Sequence, residues 1–116
     1  MRGEYEAEIK RKNFVRALYL AKELKFSDKE IKEIAQKALW QVGGEGRNFY
    51  ATKELAEELG YTKEQLKEIL VKMMEKEEKS GNKKILGPCY DYSSGKYLSF
   101  DKWLDRLLRE WNKINL

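Results

Sequence analysis

The sequence predicts an α+β fold that is mostly helical, and three observations support this prediction. Apolar residues recur at helical spacing up to about residue 78, with lysine and glutamate on the opposite face. A stretch of 20 residues recurs without gaps 35 positions further along the chain. Beyond it, two short aromatic-rich segments around a Ser-Ser-Gly turn are typical of a β-hairpin. We therefore expect helical hairpins in a tandem 35-residue repeat, followed by a β-hairpin and a terminal helix.

Composition limits both the number of domains and the chemistry. The 116 residues suffice for one hydrophobic core but not for two, so we expect a single domain over 1–116. The chain has no histidine and one cysteine, which excludes nucleophile–histidine pairs, imidazole metal ligands and an intrachain disulfide. We therefore expect a protein that is not an enzyme and that holds no metal and no cofactor.

Residue usage also bears on the compartment. Lysine and glutamate together make up 34 of the 116 residues, a bias typical of heat-adapted proteins with ion pairs along their helices. The first residues lack the apolar core of a signal peptide, and no apolar run reaches the length of about 18 residues that a membrane span needs. We expect a cytoplasmic protein that does not enter a membrane.

The internal repeat predicts two helical hairpins, over 10–42 and 45–78. Residues 20–39 align with residues 55–74, and eight of the 20 aligned positions are identical. Because the apolar positions of the two copies coincide, we expect the two hairpins to superpose and to bury equivalent faces.

Each copy also contains a signal for the start of its second helix. Ser27 with Glu30, and Thr62 with Gln65, form the capping-box pattern directly after an aromatic residue. In the first copy, the helix that follows is expected over 28–42.

The helices that precede the two turns are predicted to differ in length. The first is expected to run from about residue 5 to residue 24, and the second from about residue 52 to residue 59. The second is shorter because Gly43, Gly44 and Gly46 are expected to break the chain just before it.

The last part of the chain is predicted to form a β-hairpin over 83–100 and a terminal helix over 101–115. Pro88 should lie at an edge or a bulge, since it cannot donate a ladder hydrogen bond, and Asp101 is expected to cap the helix. The apolar face of this helix comprises Trp103, Leu104, Leu107, Leu108, Trp111 and Ile114.

Residues 52–71 carry the pattern of a helix-turn-helix element. The fifth position is small, Ala56, which lets the two helices approach, and the ninth is Gly60, which permits a left-handed turn. The first copy departs from this pattern, with Lys25 in place of the glycine. The apolar positions of the pattern are Leu55, Leu59, Tyr61, Leu66 and Ile69.

With residues 47–50 interpreted as a strand added to the hairpin, the order of elements over about 28–100 resembles the winged helix-turn-helix family. The resemblance implies a small DNA-binding protein of the kind that regulates transcription. Its recognition helix and its wing would contact double-stranded DNA. The contacting residues would be Thr62, Lys63 and Lys67 on the helix and Lys83, Lys84 and Lys96 at the wing.

The charge distribution leaves other interpretations open. Residues 27–78 carry nine basic and twelve acidic residues, and Glu64 and Glu68 lie on the exposed side of the predicted recognition helix. Carboxylates that face a DNA groove lower the affinity unless they accept from cytosine N4. The alternative function is a protein–protein interaction module built of the same hairpins, without nucleic-acid binding. A 35-residue period also suits a helical solenoid, and the basic wing is equally well explained as a solvated loop.

The terminal helix leads us to expect a homodimer. Its apolar face is wider than packing on one sheet edge requires, and exposed faces of that size usually mark an interface. We expect a symmetric contact that includes Trp103, Leu107 and Trp111. The alternative is that the first and last helices pack on each other inside a monomer.

Overall fold

Helices dominate the computed structural model, which describes residues 2–81, 88–91 and 95–114. The two strands described are short and lie between the fifth and sixth helices, so the fold is mostly helical, as the sequence predicts. The elements are α1 (Arg2–Lys10), α2 (Phe14–Glu23), α3 (Asp28–Leu39), a π-helix (Trp40–Glu45), α4 (Phe49–Glu58), α5 (Lys63–Lys79), β1 (Cys89–Asp91), β2 (Lys96–Leu98), α6 (Phe100–Arg109) and a 3-10 turn (Trp111–Lys113).

The β-hairpin pairs β1 with β2 in antiparallel register, with Tyr90 opposite Tyr97. Within the described residues the sheet has these two strands and no third. The prediction that residues 47–50 add a strand is wrong, because Asn48 caps a helix there. Its side-chain oxygen accepts a hydrogen bond from the backbone N–H of Ala51 at 3.0 Å, and α4 begins at Phe49.

The first helix is shorter than the sequence predicts, since the chain turns sharply at Lys12 and divides it into α1 and α2. Lys12 has a left-handed φ of 60°, and the backbone N–H of Asn13 donates to the carbonyl of Glu8 at 2.9 Å, which closes the end of α1. The side-chain amide of Gln41 donates to the carbonyl of Lys12. As a result α1 folds back against α2 instead of extending it.

The chain does break before α4, with Gly46 as the C-cap, but Gly43 and Gly44 do not end the helix, because α3 continues directly into the π-helix. A Cβ on Gly44 would lie 2.4 Å from the ring of Trp40, so only glycine lets this turn close over the indole. Trp40 is 4% exposed, and its ring centroid lies 5.2 Å from that of Phe100 in α6. Through Trp40, the π-helix therefore packs the helical hairpins against α6. Stretches of π-helix are rare in proteins and often lie at functional sites.

The two hairpins keep the 35-residue register at their boundaries. The first and last residues of α4 lie 35 positions after those of α2, and α5 begins 35 positions after α3 but extends further. The turns use the same hydrogen bond, from the backbone N–H of Phe26 to the carbonyl of Ala21 at 3.0 Å and from that of Tyr61 to Ala56 at 2.9 Å. Superposition of the two hairpins over their whole length stays a prediction.

The predicted helix starts are confirmed for α3 and α5. The hydroxyl of Ser27 accepts from the backbone N–H of Glu30 at 3.2 Å. At α5 the full reciprocal box forms between Thr62 and Gln65, with distances of 3.1 and 2.8 Å. At α6 the prediction is wrong by two residues, since Ser99 and not Asp101 is the N-cap.

The core draws on both hairpins, the π-helix and α6. The inward-facing residues of the second hairpin are buried at Leu55, Ala56, Leu66 and Leu70 and half-buried at Leu59, Ile69 and Met73. The buried core cluster comprises Ala17, Leu18, Ile34, Ala35, Ala38, Leu39, Trp40, Leu55, Ala56, Leu66, Leu70, Phe100, Trp103, Leu104 and Leu107.

A buried lysine holds the end of the chain on α4. Lys53 occupies the position equivalent to Leu18 of the first copy and is 8% exposed. Its ammonium group donates to the carbonyls of Trp111 at 2.7 Å and Ile114 at 3.0 Å, and lies 3.7 Å from a carboxylate oxygen of Glu57. These partners satisfy a charge that would otherwise be costly to bury.

We expect Gly44→Ala to lower the free energy of unfolding by about 1–3 kcal/mol, because the new methyl group would displace the ring of Trp40. The matched control is Gly3→Ala in α1, where a Cβ meets no atom within 4 Å. That variant should be neutral or more stable by about 1 kcal/mol, as alanine is the better helix former. Urea unfolding followed by tryptophan fluorescence compares the two, and equal stabilities would contradict the packing described.

We expect Lys25→Gly to raise the free energy of unfolding by about 1 kcal/mol and Gly60→Ala to lower it by a similar amount. Both positions have a left-handed φ, 56° at Lys25 and 75° at Gly60, which costs energy for any residue with a Cβ. Thermal unfolding measures both changes. Destabilisation by Lys25→Gly would show that the lysine side chain has a stabilising contact that outweighs its backbone strain.

Candidate nucleic-acid interface

The predicted recognition helix, α5, presents few groups suited to DNA. The hydroxyl of Thr62 already accepts the capping hydrogen bond from the backbone of Gln65. Lys63 is half-buried, and Lys67 is exposed in the next turn. Burial raises the pKa of Tyr61, directly before the helix, so its phenol stays neutral at physiological pH.

The outer face of α5 is slightly acidic. A shallow depression along it combines three carboxylates with two ammonium groups and one valine. Such a face does not attract phosphate, because the negative charges outnumber the positive ones. Its lining residues are Glu64, Lys67, Glu68, Val71, Lys72 and Glu75.

A basic groove lies instead between β2 and α6, and we call it the β2–α6 groove. It has a volume of about 270 Å³, and four of its six lining residues are lysine or arginine. One carboxylate, that of Asp105, lies among them. The lining residues are Lys96, Leu98, Lys102, Asp105, Arg106 and Arg109.

Helical spacing brings these cations together. Lys102, Arg106 and Arg109 follow one another at intervals of four and three residues, so they share one face of α6, and Lys96 faces them from β2. The guanidinium of Arg106 lies 3.1 Å from a carboxylate oxygen of Glu110, which holds it in place and offsets part of its charge. Lys96, Lys102 and Arg109 are exposed to solvent.

Arg47, just after the π-helix, fixes β2 beside α6. Its guanidinium donates to the carbonyl of Leu98 in β2 and to that of Gly44, each at 3.0 Å. The carbonyl of Arg47 accepts from the indole N–H of Trp103 in α6 at 3.1 Å, and the guanidinium lies 5.4 Å from the ring centroid of Phe100. One residue therefore sets the position of both walls of the groove.

Of the six residues predicted to bind nucleic acid, only Lys96 lines this groove. Thr62, Lys63 and Lys67 belong to α5, and Lys83 and Lys84 lie outside the described residues. The three α6 cations that complete the groove, Lys102, Arg106 and Arg109, are not among the residues predicted from the sequence. Their four-and-three spacing was visible in the sequence, opposite the apolar face that drew the prediction of a dimer.

The predicted dimer contact is wrong at two of its three residues. Trp103 is 2% exposed and Leu107 is fully buried, so neither is available to a second copy. The ring of Trp103 packs against Phe49 at a centroid distance of 5.4 Å. Trp111 is half-buried and lies over the ammonium group of Lys53. The wide apolar face of α6 is covered largely by the chain itself.

The described part of the chain places no group of three or more cysteine, aspartate or glutamate side chains where a metal ion would fit. Among the same residues, no helix combines the length and the apolar character that crossing a lipid bilayer requires.

Comparison with known proteins gives no family: no protein-family model, no curated protein and no solved structure matches this chain significantly. The winged-helix resemblance therefore rests on the helix-turn-helix pattern of residues 52–71 and on the β-hairpin beyond it, without the strand expected over 47–50, and the geometry carries the functional proposal.

We expect Arg47→Lys to lower the free energy of unfolding by about 2 kcal/mol, because an ammonium group cannot reach both carbonyls that the guanidinium fork bonds. Arg109→Lys, the same change at an exposed position, should leave stability unchanged. Chemical denaturation measures both. Amide exchange should also quicken at β2 in the Arg47 variant alone, and unchanged protection there would contradict the role given to Arg47.

Proposed function

We propose that this chain is a small cytoplasmic DNA-binding protein of winged-helix type that holds the phosphate backbone of duplex DNA in its β2–α6 groove. The observation that carries the proposal is the concentration of four cations around that groove, with one carboxylate among its lining residues. In a winged helix the hairpin lies against the duplex, and here it is the hairpin that contributes Lys96.

The chemistry of the groove suits phosphate. Lysine and arginine gain affinity by releasing the counterions condensed on DNA, and arginine can bond two phosphate oxygens with one planar fork. Residues 79–116 carry eight basic and four acidic residues, so the surroundings of the groove add to the attraction. Arg106, held by Glu110, supplies a fixed cation between Lys102 and Arg109.

The acidic outer face of α5 favours contacts to the DNA backbone over contacts to the bases. Glu64 and Glu68 would face the bases if this helix entered the major groove deeply, and carboxylates lower affinity there. Base contacts are therefore limited to the first turn, at Thr62 and Lys63, and the backbone supplies most of the affinity. We expect weak sequence preference and strong salt dependence.

The homodimer stays part of this proposal, with Trp111 as the one residue of the predicted contact that keeps exposed surface. Two copies would place two basic grooves on one duplex, as dimeric DNA-binding proteins do at paired half-sites. Sedimentation of the chain at micromolar concentration decides between monomer and dimer.

We expect the triple variant Lys96→Gln, Lys102→Gln, Arg109→Gln to bind duplex DNA at least about tenfold more weakly and to lower the salt slope by about one unit per lost phosphate contact. Fluorescence anisotropy with a random duplex of about 20 base pairs, at several salt concentrations, measures both.

The matched control removes the same charge elsewhere, by Lys22→Gln, Lys29→Gln and Lys32→Gln, which alter exposed side chains of α2 and α3. This control should keep most of the wild-type affinity. Equal losses in the two triple variants would show that net charge, and not the β2–α6 groove, attracts DNA.

A further inference from the structure

A second groove, of opposite character, lies between α2 and α4, and we call it the α2–α4 groove. It has a volume of about 150 Å³, and a cavity of this size accommodates a small hydrocarbon or a branched side chain. Its lining residues are Val15, Tyr19, Val42, Ala51, Glu54, Leu55 and Glu58.

The groove has an apolar floor and an acidic rim. Leu55, at 5% exposure, lies at the bottom of the groove. Val15 and Val42 are half-buried, so part of their aliphatic surface is open to solvent. Glu54 and Glu58 are exposed, one turn apart on α4, and both carboxylates line the same side. The lining residues include no lysine and no arginine.

Tyr19 forms a wall whose orientation is fixed. Its hydroxyl donates to a carboxylate oxygen of Glu58 at 2.7 Å, which joins α2 to α4 across the groove, while its side chain stays 43% exposed. This hydrogen bond is the main cause that raises the pKa of Tyr19, and burial and the charges of Glu58 and Glu54 raise it further. The phenol therefore remains a neutral donor at physiological pH.

The carboxylates of Glu54 and Glu58 have no cationic partner within residues 2–81, 88–91 and 95–114. Among the described residues neither Glu54 nor Glu58 forms an ion pair, whereas the adjacent Glu57 pairs with Lys53 and Glu110 pairs with Arg106. An apolar pocket beside two unpaired carboxylates is complementary to an aliphatic side chain beside a cation, and arginine bonds a carboxylate with two parallel hydrogen bonds.

We propose that the α2–α4 groove binds a short segment of a partner protein, in which an aliphatic residue is followed within a few positions by lysine or arginine. The aliphatic side chain enters between Val15, Val42 and Leu55, and the cation lies at Glu54 and Glu58. Nucleic acid is unsuited to this surface, since its phosphates would face the same carboxylates. The proposal is independent of DNA binding, which uses the β2–α6 groove.

The experiment uses a phage-displayed library of random peptides, about twelve residues long, selected on the full chain. The expected result is enrichment of an aliphatic residue near lysine or arginine. A synthetic copy of the enriched peptide, measured by fluorescence anisotropy, should lose at least about tenfold in affinity for the variant Glu54→Lys, Glu58→Lys. Replacing the cation of the peptide by glutamate should restore binding to that variant.

The matched control is Glu64→Lys, Glu68→Lys, which makes the same charge change on the outer face of α5 and should keep affinity within about twofold. Because all four glutamates are exposed, both variants should fold, and a thermal melt checks this. Absence of a shared motif, an acidic motif, or equal losses in the two variants would overturn the proposal. So would self-association of the wild type that Glu54→Lys, Glu58→Lys abolishes, since a second copy would then occupy the groove.

Discussion

The side chain and carbonyl of Arg47 connect the end of the π-helix to β2 and α6, at residues 51 and 56 positions further along the chain. The guanidinium bonds the carbonyls of Gly44 and Leu98, and the carbonyl accepts the indole N–H of Trp103. The π-helix makes these bonds possible, because it runs from Trp40 to Glu45 and ends two residues before Arg47, whose guanidinium lies beside β2. These bonds help to hold the short hairpin, together with Leu98, which packs against the core, since isolated two-stranded hairpins are marginally stable in water.

The chain is nearly balanced in charge, yet its two grooves are not. The β2–α6 groove gathers cations around one carboxylate, and the α2–α4 groove gathers carboxylates and no cation. The net charge of +4 does not reveal that basic and acidic residues lie in different grooves. They are separated because helical spacing places residues three and four positions apart on the same face. Surfaces of opposite sign on one small domain can orient it toward two different partners as they approach.

The parts of the fold that were predictable from the sequence depend on nearby residues. The capping box at Thr62 and the buried positions around Leu66 follow from spacing of three and four residues. Three features did not follow. The left-handed turn at Lys12 has no local signal in a residue with a Cβ. The close packing of Gly44 inside the π-helix did not follow either, because its partner, the ring of Trp40, is known only in three dimensions. The sequence likewise does not show that the chain itself covers the apolar face around Trp103. The cations on the opposite face of α6 were therefore not predicted as a binding site.

The lysine that replaces an apolar residue at position 53 couples the end of the described chain to the second hairpin. Opening of the turn at Trp111 removes two carbonyl acceptors from the ammonium group of Lys53 and leaves only Glu57 beside it. A cation inside a helical core is then unsatisfied until water enters, so the turn and the first part of α4 loosen together. We therefore expect the turn at Trp111–Lys113 to belong to the same cooperative folding unit as the first part of α4.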